Sequence, residues 1–120
     1  VKRTELKRGT KGLTRKPSAH KLDYEAELDA ITPALRLRAR NRCEACRTPL
    51  GLDEGERHHR IRRGQGGTNT LDCLVLLCRR CHGWIHRHVS IAKSCGYLVP
   101  SWGDLDQPLW PRTLVEAMGR

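Results

Sequence analysis

Leu74-Val75-Leu76-Leu77-Cys78-Arg79-Arg80-Cys81-His82-Gly83-Trp84-Ile85-His86 changes its periodicity partway along. Its first four residues form an aliphatic run fit for a short buried strand. From about Cys81 the pattern is helical and continues to Cys95, with Gly96 as a natural C-terminal stop. On that helix His82 and His86 stand one turn apart and share a face, and Ile85 and Val89 form the neighbouring core stripe. A strand therefore runs into a helix through a Cys-x-x-Cys step and brings thiolates and imidazoles close together.

Upstream, Cys43-x-x-Cys46 repeats that spacing, and 31 residues separate the two pairs. Each turn presents two sulfurs converging on one point, so two turns suit a closed tetrahedral zinc site that staples distant segments. Between them lies His58-His59, on an expected strand from Arg57 to Ile61 that Gly64-Gln65-Gly66-Gly67 terminates. Adjacent strand residues point to opposite faces. One of the pair can therefore join His82 and His86 as a third ligand while the other sits beside a substrate. Three ligands with open positions are the form of a catalytic ion.

These residues resemble the HNH endonucleases, the ββα-metal or His-Me finger nucleases, in the subgroup with a four-cysteine zinc. The likeness runs over His58-His59, Gly66-Gly67, Leu74 to His82 and His86, and spans about Arg38 to Val99. It implies an α+β fold, a small ββα-metal domain with a structural four-cysteine zinc site and flanking helices. It also implies roles: His59 as general base, His58, His82 and His86 on one catalytic divalent ion (Mg²⁺, Mn²⁺, Ni²⁺ or Zn²⁺), and Cys43, Cys46, Cys78 and Cys81 on structural Zn²⁺. The activity implied is hydrolysis of DNA phosphodiesters to 5′-phosphate and 3′-hydroxyl ends. One position departs from the pattern, because Cys73 stands where the family's central Asn braces the base-bearing loop. Asn69 or Asp72 substitutes by a loop shift, or activity is reduced. The alternative function is a non-catalytic, zinc-stabilised nucleic-acid-binding protein on the same scaffold.

Charge agrees with a polyanionic partner. Lys and Arg number 23 against 13 acids in 120 residues, a formal charge of +10, and DNA is the obvious candidate. Residues 1–21 hold eight Lys/Arg and only Glu5, without regular periodicity, and are expected to be a flexible basic arm. Lys2, Arg3, Lys7 and Arg8 of that arm, with Arg60, Arg62 and Arg63 just past the expected base, are the candidate phosphate contacts. Residues 22–99 form the expected nuclease domain, and 100–120 a tail packing on it.

Local expectations complete the reading. Tyr24 to Ile31 and Pro33 to Arg42 read as two helices, with Thr32 as N-cap and Pro33 at the first helical position of the second. Tyr97 to Pro100 is an extended piece packing back, and Leu109, Trp102 and Trp110 cover part of a small core. Cys73 and Cys95 are expected to be buried apolar residues. The knuckle spacing and the lack of an apolar leader give the expectation of a reduced cytoplasmic protein with no membrane partner. The leader and the stretch Cys81 to Val99 are similar to small HNH proteins encoded by bacteriophages, which implies a bacterial host cell, a nicking or packaging role, and packaging proteins as partners.

Overall fold

A computed structural model describes residues 18–119. The arm contacts Lys2, Arg3, Lys7 and Arg8 lie outside those residues. The centre is a two-stranded antiparallel sheet of β1 (Glu56–His59) and β2 (Leu74–Leu77), paired so that His58 faces Val75 and His59 faces Leu74. β2 is buried along its whole length, as its unbroken aliphatic run requires. It is followed at once by α2 (Arg79–Arg87), giving the small α+β arrangement of a ββα-metal domain.

α1 (Ala19–Ala39) packs on the outer side of the sheet. The two helices expected on either side of Thr32 are one. Pro33 sits inside the helix, and Thr32 donates its hydroxyl to the Leu28 carbonyl at 2.7 Å instead of capping a new helix. The physical reason is a continuous apolar stripe: Leu28, Ile31, Leu35 and Ala39 pack with Leu74 and Leu76 into one core cluster. An interior proline costs about 3 kcal/mol, and burying several aliphatic side chains at about 1.5–3 kcal/mol each outweighs it. The helix starts at Ser18, whose hydroxyl accepts from the Lys21 amide at 3.1 Å. It ends at Arg40 and Asn41, both in the left-handed region, short of the expected Arg42.

The first knuckle is strapped to β2. The Glu44 amide donates to the Leu76 carbonyl, and the Glu44 carboxylate accepts from the Leu76 amide, each at 2.8 Å. Arg38 holds the same carboxylate through two bonds of 2.8 and 2.9 Å. The second core cluster gathers Cys43, Val75, Leu77, Ile85, Tyr97 and Leu114. Tyr97 is its largest member, and its hydroxyl donates to the Glu44 carbonyl at 3.0 Å.

The expected helix from Cys81 to Cys95 is two helices, α2 and α3 (Val89–Ser94), broken at His88, whose backbone is non-helical. Gly96 ends α3 with φ 85°, and a Cβ there would lie 2.4 Å from the Pro108 carbonyl oxygen, so only glycine fits. Tyr97, Leu98 and Val99 are buried, and Val99 donates its amide to the Arg60 carbonyl at 2.8 Å. This is the expected return of that segment toward β1. α4 (Pro111–Met118) is an unexpected helix, signalled in the sequence only by Pro111 at its start and Gly119 past its end, and it buries Leu114 in the core. Cys73 and Cys95 are buried as expected. Leu109 packs on the core, but Trp102 and Trp110 are exposed and do not cover it. The expectation for the two tryptophans is corrected: Tyr97 and α4 already fill that space.

Arg60 corrects a second expectation. It is only 5 % exposed. Its guanidinium donates to the carbonyls of Gly96, Leu105 and Gln107 at 2.8, 3.0 and 2.6 Å, and more weakly to Asp72 at 3.5 Å. It is a clamp on loop carbonyls and cannot reach a DNA phosphate. Arg60→Met should lower unfolding free energy in urea by about 3 kcal/mol, since charged hydrogen bonds to buried carbonyls are lost. The folded variant should retain its DNA affinity. Unaltered stability with weakened DNA binding would return Arg60 to the phosphate-contacting surface.

Candidate active site

Four sulfurs converge first. The Sγ atoms of Cys43, Cys46, Cys78 and Cys81 all lie within 4.8 Å of one another, and Cys46 and Cys78 are 3.8 Å apart. Bonds of about 2.3 Å to a tetrahedral zinc put the ligand sulfurs roughly 3.8 Å apart. The donor set and its spacing therefore fit zinc. Backbone amides support the cluster: Ala45 donates to Cys43 Sγ and Cys81 to Cys78 Sγ, each at 3.4 Å. The Cys81 thiol, donating to Cys43, holds the Cys43 thiol down to about 4, and the same contact pushes Cys81 up. Cys78 is also the N-cap of α2, so the cluster and the helix start are one structure.

The second cluster is His58, His82 and His86, whose ring nitrogens lie within 4.8 Å of one another. The ring centroids are separated by 4.8 to 5.5 Å. β1 supplies His58, and one face of α2 supplies the other two. Hydrogen bonds fix two of the tautomers. His58 donates from Nε2 to the Tyr97 carbonyl at 2.5 Å, leaving Nδ1 as its lone pair. His82 donates from Nδ1 to the Glu56 carboxylate at 2.5 Å, leaving Nε2. That nitrogen is 3.1 Å from His86 Nε2, within the roughly 3.0–3.4 Å expected for two imidazoles on one ion at bonds of about 2.0–2.1 Å. Burial lowers His58 to about 4, against the raising effect of the Tyr97 bond. His86 is lowered by burial and then by the charges of His82 and Arg62. Both rings are thus neutral near pH 7, the state a ligand needs. His58 is buried and His86 exposed, so the cluster is open on its outer side.

Glu56 escaped the sequence reading, which began the strand one residue later, at Arg57. A signal was present: on a strand, a residue two before His58 shares its face. A carboxylate behind a ligand histidine fixes the ring and raises its basicity.

His59 points away from this cluster, toward α1. Its Nε2 lies 2.9 Å from Asn69 Oδ1 and 3.0 Å from the Tyr24 hydroxyl. The Asn69 amide nitrogen donates to the Tyr24 carbonyl and to Glu27, both at 3.3 Å. Those two acceptors orient the amide, so Oδ1 faces the histidine and His59 Nε2 carries the hydrogen. Nδ1 is left with a lone pair and no hydrogen-bond partner among the described residues. Asn69 thus braces His59 where Cys73 does not: the Cys73 thiol points to the Ile61 carbonyl at 3.7 Å. Tyr24 and Glu27 were not legible as site residues, since tertiary packing alone brings α1 to His59. Arg62 is exposed, and the Arg63 guanidinium lies 3.6 Å over the Tyr24 ring.

No helix among the described residues is long and apolar enough to cross a membrane. No curated protein and no solved structure matches the chain. Residues 43–88 match the HNH endonuclease family, a nuclease family, and this span contains all four clustered cysteines, the three converging histidines and His59. Residues 43–88 thus match an HNH endonuclease domain, and the small α+β fold around them, with a four-cysteine cluster that could hold zinc, is consistent with the ββα-metal form.

Proposed function

We propose that this domain is a metal-dependent DNA endonuclease that leaves 5′-phosphate and 3′-hydroxyl ends. The observation carrying the reading is the division of labour between two consecutive residues. His58 turns into a cluster of three imidazoles, and His59 turns out with its Nε2–H bound and its Nδ1 without a partner among the described residues. One divalent ion (Mg²⁺, Mn²⁺, Ni²⁺ or Zn²⁺) held by His58, His82 and His86 would supply the Lewis acid that offsets charge on the scissile phosphate and the leaving oxygen. Zn²⁺ on Cys43, Cys46, Cys78 and Cys81 would have a structural role.

The chain's own residues do the remainder. His59 takes a proton from water at Nδ1, and the water oxygen attacks phosphorus in line. Asn69 keeps the Nε2–H in place throughout, so the lone pair stays on the reactive side. Glu56 holds His82 in its ligating tautomer. Arg62 and Arg63 serve the flanking phosphates, together with Lys2, Arg3, Lys7 and Arg8 of a basic arm over residues 1–21. Likeness of the basic leader and of residues 81–99 to small phage HNH proteins supports a nicking or packaging role in a bacterial host, with packaging proteins as partners.

Nicking of supercoiled plasmid with Mg²⁺, Mn²⁺, Ni²⁺ or Zn²⁺ tests this directly. His59→Ala should slow cutting about 10²–10⁴-fold, the usual contribution of a general base. Equal rates would remove His59 from the chemistry, and DNA shifted in a gel but cut by neither protein would leave a binding module. Asn69→Ala should lower kcat with little change in KM, because it disturbs the orientation of the base and not DNA binding; a loss confined to KM would assign Asn69 to DNA contact instead. Metal analysis with circular dichroism separates the two clusters. Cys43→Ser should lose zinc and unfold, whereas His82→Ala should stay folded and inactive; the opposite pattern would exchange their roles.

A further inference from the structure

Trp102 is 85 % exposed, which is costly for the largest apolar side chain unless something covers it. It occupies the third position of a tight turn in which Gly103 donates its amide to the Pro100 carbonyl at 2.8 Å. A Cβ on Gly103 would fall 2.6 Å from Val99 Cγ1 and 3.1 Å from the Pro100 carbonyl oxygen, so the turn is closed tightly against its own base. That base is anchored in turn by the Val99 amide on the Arg60 carbonyl at 2.8 Å. The indole is thus held outward by a fixed turn beside the exit of β1.

Below it lies a cleft of about 160 Å³, with Val89 and Val99 in its apolar lining and Arg62, Gln65 and Lys93 as its polar groups. Among the described residues no acidic side chain lines it. The volume is well under the roughly 300 Å³ at which pockets for larger ligands begin, so it suits a single ring system. Its position ties it to the candidate active site: Arg62 follows His59 by three residues and Val89 follows His86 by three.

We infer that Trp102 is a stacking platform for one nucleobase turned out of the helix next to the scissile phosphate, with Arg62 and Lys93 holding the adjoining backbone and Gln65 at the base edge. The inference rests on the nuclease reading and refines it: the preferred substrate is DNA with an unpaired nucleotide, such as a fork, a flap or a mismatch. Indole stacking tolerates any base, because every base has a π face. The cleft therefore selects for an unpaired state and not for a sequence.

The test is equilibrium binding of the full-length, zinc-loaded protein to oligonucleotides carrying 2-aminopurine, either unpaired at a fork or within a perfect duplex. The unpaired probe should be quenched on binding by the wild type. Trp102→Ala should abolish that quenching and weaken fork binding about tenfold or more, with duplex affinity unchanged, and Trp102→Phe should restore part of both. Three results would overturn the inference: unchanged quenching in Trp102→Ala, an equal loss of affinity for fork and duplex, or a dimer in sedimentation that Trp102→Ala dissociates. Plasmid nicking by the same preparations keeps the two readings apart. Quenching without any cutting would retain the base site and remove the nuclease, whereas cutting with no Trp102-dependent quenching would do the reverse.

Discussion

Convergence of four sulfurs on one point organises this small domain. Cys43 and Cys46 follow α1, Cys78 and Cys81 open α2, and the Cys46 and Cys78 sulfurs approach to 3.8 Å. Four cysteine sulfurs at that spacing are compatible with a tetrahedral zinc held between the two pairs. Because Cys78 also caps α2, closing the cluster fixes the rotation of the helix about its axis. That rotation turns His82 and His86 to the side of the sheet where His58 waits. The sulfur cluster and the imidazole cluster are thus coupled through barely two turns of helix.

The rest of the framework relies on unusual polar clamps, because the chain has no Phe and a modest apolar content. Arg38 and Glu44 tie the first knuckle to β2, and Arg60 gathers the carbonyls of Gly96, Leu105 and Gln107. Each places a guanidinium where a larger protein would use aliphatic packing. A buried charge is tolerated when it is well hydrogen-bonded, and each of the three guanidinium nitrogens of Arg60 donates to a carbonyl. This arrangement explains how a domain with a single fully buried tyrosine as its bulkiest core residue holds a fixed set of site histidines.

The two catalytic candidates on β1 divide the site between two faces. His58 belongs to the sheet-and-α2 side, where burial keeps it neutral. His59 belongs to the α1 side, where Asn69, Tyr24 and Glu27 set its tautomer. The strand's alternation sends the two adjacent imidazoles to different surroundings within one dipeptide. The glycine turn at Gly66-Gly67 lets the chain fold back so that Asn69 reaches the ring. Asn69, four residues before Cys73, is the group that meets the ring, while the Cys73 thiol turns to the Ile61 carbonyl.

Much of this was legible in the sequence, for local reasons. Two Cys-x-x-Cys steps, two histidines one helical turn apart and an aliphatic run before them are short-range patterns, and their geometry follows from the pitch of a turn, a helix and a strand. They determined the sulfur site, β2, α2 and the participation of His58, His82 and His86. What only the tertiary structure decided depended on partners distant in the chain. Pro33 stayed within α1 because β2 buries its far stripe, and Arg60 turned inward because carbonyls from residues 96 to 107 were there to receive it. Asn69, and not Asp72, reached His59, and Trp102 stayed outside because Tyr97 and α4 had filled the core. A residue's type states which contacts it can make, but long-range packing decides which of them it finds.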